Sequence, residues 1–281
     1  MRIITFLMLI VTLLLSWGCA HIDPTVLESA EALPAGTLRV SAGGGLSQNY
    51  ITGLDIPEDA LWDNEDALLP DGNIGFIARP KLKVGLGKNW EAALSGGFSF
   101  APDSTMGFMD TDTNTAWQIK ASAKKVWDLN PCHSLAAIPT LAYSDGAWES
   151  KQAADGHQLW MGAQTLSFEL PLVSSWHGRY KGYKYNLNFT LRPAYTALWR
   201  SRNYADWSFS LPAGGEYWST QEELEREDVF RVGFLAGLED KGEKGNTIFE
   251  LGMDLISHSD KVYLMPLIGV SHQFGDYGKR D

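Results

Sequence analysis

Between residues 183 and 199 apolar and polar side chains alternate almost without interruption. Tyr183, Tyr185, Leu187, Phe189, Leu191, Pro193, Tyr195, Ala197 and Trp199 stand on one register, and Lys184, Asn186, Asn188, Thr190, Arg192, Ala194 and Thr196 on the other. Successive Cβ atoms point to opposite faces of a strand, so a period of two predicts a strand with one apolar and one polar face; a helix would not give it. The stretch from Ile74 repeats the pattern, with Ile74, Phe76, Ala78, Pro80, Leu82, Val84 and Leu86 set against Gly75, Arg79, Lys81, Lys83 and Gly85. After the short turn Gly87-Lys88 come Trp90, Ala92, Leu94, Gly96, Phe98 and Phe100 against Glu91, Ser95, Gly97 and Ser99, which predicts a hairpin. The same test places strands near 37–48, 74–87, 89–101, 115–127, 133–144, 157–173, 182–200, 228–240, 246–257 and 261–274. The sixth is the least regular, because Leu159 and Met161 fall on the polar register. The fold class expected is therefore all-β, a closed antiparallel transmembrane β-barrel of about 10 strands, with 8 or 12 as the alternatives.

The links support a barrel over a sandwich. Those after the even strands are short to medium (87–88, 128–132, 174–181, 241–245), and those after the odd strands are mostly long, the longest being 49–73 and 201–227. Short turns at one rim and long loops at the other are the habit of barrels that cross a membrane, and an even strand count leaves both termini on the short-turn side. Charge decides which face points inward. The polar register carries Arg39, Arg79, Lys81, Lys83, Lys120, Lys124, Lys184, Arg192 and Arg231, opposed by Glu91, Glu169, Glu239, Glu250 and Asp254. The dry core of a soluble sandwich would have to pair or expel such charges, whereas a barrel lumen holds them. Trp90, Trp117, Trp127, Trp160, Tyr143, Tyr183, Tyr185, Trp199 and Tyr263 fall near strand ends, as an interfacial girdle would.

Composition adds two constraints. The chain of 281 residues is 44% hydrophobic and 20% charged, too apolar for disorder. Its net charge of −11 excludes a general nucleic-acid-binding surface. The basic excess of the lumen reverses that overall sign, so much of the negative charge lies in loops, such as the first long link with Asp55, Glu58, Asp59, Asp63, Glu65, Asp66 and Asp71.

Two segments carry a family resemblance. Met1, Arg2, the apolar run Ile3 to Leu15 and then Ser16-Trp17-Gly18-Cys19-Ala20 resemble a bacterial lipoprotein signal, in which the cysteine is lipidated after cleavage; the alternative is ordinary cleavage after Ala20. Leu264, Pro266, Ile268, Val270 and Phe274 resemble the C-terminal insertion signal of bacterial outer-membrane β-barrel proteins, with His272 inside the register and 275–281 beyond it. The resemblance implies export to the bacterial outer membrane with periplasmic termini, outer-membrane lipid around the barrel, and assembly by the barrel-assembly machinery. The organisation expected is a signal peptide at 1–18, a periplasmic tether at 19–35 containing two prolines, the barrel at 36–274 and a tail at 275–281.

Candidate chemistry is sparse. Ser257-His258-Ser259-Asp260 and His157 hold the groups needed for nucleophilic hydrolysis, and known ten-stranded surface proteases place acidic and His-Asp pairs at the rim. Neighbours on a strand point oppositely, however, so a polar hairpin tip is the simpler reading of His258 and Asp260. Asp110-Thr111-Asp112-Thr113-Asn114 starts like a calcium loop, but Thr115 and Ala121 stand where glycine and glutamate are required. His133 beside Cys132 reads as an inert turn. No metal or cofactor is expected. The lumen residues Arg39, Arg79, Lys81, Lys83, Glu91, Lys120, Lys184, Arg192, Arg231, Glu250 and Asp254 are expected to form a salt-bridged plug, with Glu91 and either Glu250 or Asp254 offsetting Arg79, Lys81 and Lys83. The function expected is a non-enzymatic structural or surface-interaction role; a narrow anion-permeable channel, an outer-membrane surface or lipid hydrolase and a soluble periplasmic lipoprotein are the alternatives.

Overall fold

A computed structural model describes residues 25–48, 74–100, 115–151, 158–208, 216–223, 226–242, 245–258 and 261–274. The N-terminal stretch with Cys19, the acidic first link, the 110–114 segment, His157, Asp260 and residues 275–281 lie outside the described residues, and of His258 the backbone alone is described. The strands are β1 (Leu38–Gln48), β2 (Ile74–Gly87), β3 (Trp90–Phe100), β4 (Thr115–Asn130), β5 (His133–Ala137), β6 (Thr140–Lys151), β7 (Gln158–Glu169), β8 (Leu172–Tyr180), β9 (Tyr183–Ser208), β10 (Glu216–Glu223), β11 (Glu227–Gly242), β12 (Gly245–His258) and β13 (Lys261–Phe274). Every pairing is antiparallel, and β1 pairs with both β2 and β13, which closes the sheet.

Two of the gaps are not breaks in the wall. Lys125 lies opposite Ala137 on one side of the first gap and Ser122 opposite Thr140 on the other, so β5 and β6 follow β4 in one register. The same holds for β7 and β8 along β9. The gaps fall at Pro139 and Pro171, which have no N–H to give to the ladder. Their carbonyls still accept from Ala123 and Ile138, at 3.1 and 2.9 Å. Counting each pair as one strand, and β10 as an outward continuation that among the described residues pairs with β9 alone, the molecule is a closed antiparallel barrel of ten strands.

Two strands run further than the alternation predicts. The sixth barrel strand continues to Tyr180, and the expected link 174–181 shrinks to Lys181-Gly182, both with positive φ, 49° and 85°. Ser174, Ser175, His177 and Gly178 are small or polar on both faces, which hides the period. The seventh reaches Ser208 because β7 and β10 flank its outer half.

The faces are inverted relative to a soluble protein. Along β9, Leu187, Phe189 and Leu191 are 43, 53 and 41% exposed, whereas Asn186, Asn188 and Arg192 are 0, 2 and 0% exposed. Exposed apolar side chains recur all round the barrel, among them Leu82, Leu94, Phe98, Ile119, Leu141, Phe168, Phe234, Leu251 and Leu264. The interior carries the polar set together with a few apolar side chains, Val126, Ala136, Ile138, Val173, Leu235 and Leu267.

Residues 25–35 are the described part of the stretch 19–35 expected as a tether. Thr25 to Ala30 and Leu33 are buried inside the barrel, with Val26 and Ala30 packed on that apolar patch of the lumen wall. The segment runs from Thr25, beside Gly45 and Gly269, down to Pro34 beside Gly85, and a turn closed by Thr37 N–H on the Pro34 carbonyl then leads into β1. Thr25, the first described residue, thus lies within the lumen, and Phe274 ends β13 at the short-turn rim. Wall glycines permit this approach: a Cβ on Gly85 would overlap the Leu33 and Pro34 carbonyl oxygens, and one on Gly269 would meet the Thr25 methyl. Gly85→Val should therefore loosen residues 25–33 while leaving the barrel closed. Hydrogen exchange should show faster exchange of the Val26, Leu27, Ala30 and Leu33 amides against unchanged protection in β9 and β11.

Candidate functional site

An irregular segment inside a barrel must find partners for its backbone groups. Val26 and Leu27 N–H donate to Glu250 Oε2 at 2.7 and 3.1 Å, Ala30 N–H to Ser175 Oγ at 2.7 Å, and Leu33 N–H to Glu91 Oε2 at 3.2 Å. In return Arg79 donates to the Thr25 carbonyl and hydroxyl, both at 3.1 Å. The segment is bound as a ligand would be, by side chains from strands around the wall.

Its charge matters more. Glu28 lies among three ammonium groups, pairing with Lys81, with Lys83 at 2.7 Å and with Lys124 at 3.0 Å. Glu91 shares the cluster, 3.0 Å from Lys124 and 4.0 Å from Lys83. Glu250 and Asp254 meet further groups. Glu250 caps the segment's amides, and Asp254 takes Arg192 at 2.6 Å and Arg231 at 3.6 Å. Glu169 extends that second network, with Lys120 and Arg231 each at 3.5 Å. Arg39 is buried on the inward register. Lys184 shares the register but stands exposed at the short-turn mouth. The lumen is charged, and it is filled by a backbone segment as well as by side chains.

A second cluster lies at that mouth. Ser134 Oγ is 2.9 Å from His177 Nε2 and 3.0 Å from Asp128 Oδ1. His177 Nδ1 is 2.9 Å from Asn186 Oδ1 and 3.3 Å from Glu31 Oε1, and Glu31 also pairs with Lys241. Asn186 and Asn246 each donate to Glu239 at 2.6 Å. Burial alone would raise the Glu31 carboxyl; the Lys241 ammonium outweighs it and holds the group below the ordinary carboxylate range. A separate pair, His133 Nε2 and Ser174 Oγ at 2.8 Å, faces outward, with the imidazole stacked on Trp176. Cys132 is exposed in the adjoining turn.

Sequence reasoning missed Glu28, Glu31, Ser134 and His177. The first two fall in the stretch read as a tether, and His177 in one read as a link. One signal pointed to the two glutamates: the inward register has more bases than acids, and a dry lumen requires further carboxylates from elsewhere in the chain.

No family model matches the chain, and no curated protein matches it. Among solved structures, the outer membrane protease OmpT from Escherichia coli is similar at 11% identity and a TM-score of 0.45, over 85% of this chain and 94% of that one.

Glu28→Ala should leave three buried ammonium groups short of a counter-charge and cost about 3–5 kcal/mol, while adding Lys81→Met and Lys83→Met should recover much of the loss; urea unfolding of the detergent-folded barrel reads both. The mouth responds to pH. Because the Glu31 carboxyl is depressed in the folded state, its pairing contributes fully above the ordinary carboxylate value of about 4.3 and is lost as pH falls through the folded value. Exchange of the 31–33 amides should therefore be constant from neutral pH to about 5, after correction for intrinsic rates, and should accelerate only below about 4.

Proposed function

We propose that this chain is an integral β-barrel of the bacterial outer membrane, closed by its own N-terminal segment and presenting its long loops outward in a structural or surface-interaction role. The observation that carries the reading is the inverted polarity: apolar side chains cover the outside while arginine, lysine and carboxylates are buried within. A soluble protein of this size does not leave so continuous an apolar belt in water. The belt has suitable dimensions. Trp117 and Trp127, both exposed, are ten positions apart on β4, which at ~3.3 Å per residue and a usual barrel tilt of ~40° corresponds to ~25 Å along the axis, the height of an outer-membrane apolar band. Trp90, Trp176, Tyr180 and Tyr183 are exposed near the short-turn rim and Trp199 nearer the other, as interfacial aromatics are.

A closed sheet leaves no unpaired edge in lipid, so the backbone meets the same demand. The filled lumen supports a non-conducting state over the anion channel, since the cations that would line a pore already hold Glu28.

The decisive comparison is between adjacent residues of β9. Phe189→Arg should cost about 2–4 kcal/mol and impair insertion into liposomes, whereas Asn188→Arg should leave lipid insertion far less affected. Equal tolerance at the two positions would contradict a membrane-facing exterior. Topology is tested by protease added to intact cells, which should cut within 49–73 or 201–227 and spare 128–132.

A further inference from the structure

The mouth cluster has the relations of a nucleophile, its base and the groups that orient the base. His177 Nδ1 faces two oxygen acceptors, Asn186 Oδ1 and Glu31 Oε1. Asn186 is turned that way because its Nδ2 donates to Glu239. The ring proton therefore belongs on Nδ1, and the Nε2 lone pair points at the Ser134 hydroxyl, 2.9 Å away. The Ser134 proton has one other acceptor, Asp128, which is exposed at the rim and so can be displaced by a substrate. Ser134 itself is 3% exposed, but the His177 and Glu31 side chains are 20% and 25% open, so the centre lies just below the mouth.

Next to it stands a row of cations. Arg179, Lys184 and Lys241 occupy directly opposed positions on β8, β9 and β11. Lys241 is held by Glu31, while Arg179 and Lys184 are exposed and form no ion pair among the described residues. Like charges facing one another across strands destabilise a sheet, and a bound anion relieves them.

We propose that this mouth is a serine-hydrolase centre for carboxylic esters that also carry an anionic group. Ser134 Oγ adds to the ester carbonyl carbon as His177 Nε2 takes its proton. The bond to the leaving alkoxide then breaks, and His177 returns the proton to it. Water, deprotonated by the same nitrogen, cleaves the acyl-serine, releasing the acid and restoring the hydroxyl. Arg179 and Lys184 bind the anionic group, and Glu31 and Asn186 are positioning residues. The proposal does not depend on membrane insertion, so the full chain folded in detergent micelles tests it separately from the membrane reading.

A fluorophosphonate should label Ser134, located by peptide mass mapping. His177→Asn should slow labelling by about 100-fold or more, and Ser174→Ala, which alters the outward pair, should leave it unchanged. With p-nitrophenyl hemisuccinate and neutral p-nitrophenyl butyrate as probes, Arg179→Glu with Lys184→Glu should raise KM for the anionic ester relative to the neutral one by about tenfold. Glu31→Gln should lower kcat more than it raises KM. An unlabelled Ser134 in protein that migrates as a folded barrel, or labelling indifferent to His177→Asn, would overturn the nucleophile assignment. Equal effects of the charge reversal on both esters would overturn the anionic specificity.

Discussion

The structure depends on where one carboxylate goes. Glu28 enters the barrel on a segment that belongs to no strand and meets ammonium groups from β2 and β4 in a space closed to bulk water. Charges so placed repel strongly when unpaired, since little solvent screens them, and of the wall's described acids Glu91 alone joins this cluster, the others meeting different groups: Asp254 and Glu169 meet Arg192, Arg231 and Lys120, and Glu250 meets backbone amides. The strand sequences alone therefore specify an incomplete interior. The N-terminal segment supplies the missing charge, and its backbone is satisfied by the polar groups that it neutralises. Closure of the barrel and filling of the lumen are one electrostatic problem with a shared solution.

What could be read from the sequence follows from this division. The ten-strand count and the facing of β9 were legible, because a wall residue has two environments and the side-chain period records them directly. Strand limits were less so. Pro139 and Pro171 interrupt the ladder without shifting it, so sequence punctuation and register disagree there. From Ser174 to Gly178 Trp176 alone marks the apolar face, too little to show a period. The filling segment left no periodic signal, since Val26, Glu28, Ala30 and Glu31 each answer a different part of the wall and no single repeating surface. The mouth cluster was hidden for a further reason. Ser134, His177 and Glu31 come from three separate parts of the chain, and only the register of β5 on β8, with the path of the inserted segment, brings them together. The adjacent Ser-His-Ser-Asp around residue 258 drew attention instead because it is contiguous, although contiguity on a strand separates side chains.

The same segment also links the two regions of the interior. Only two residues separate Glu28, deep among the lysines, from Glu31, between Lys241 and His177 at the rim. A chain held at both points cannot shift along the lumen without breaking both sets of ion pairs, so the deep cluster sets the position of the Glu31 carboxylate at the mouth. In the proposed hydrolytic centre that carboxylate orients the base. Whatever withdraws the segment would open the lumen and, in the same motion, take away the group that holds His177 toward Ser134. Closed lumen and ordered mouth are thus one state of the molecule, and a barrel emptied of residues 25–33 should be both more permeable and less able to activate its serine.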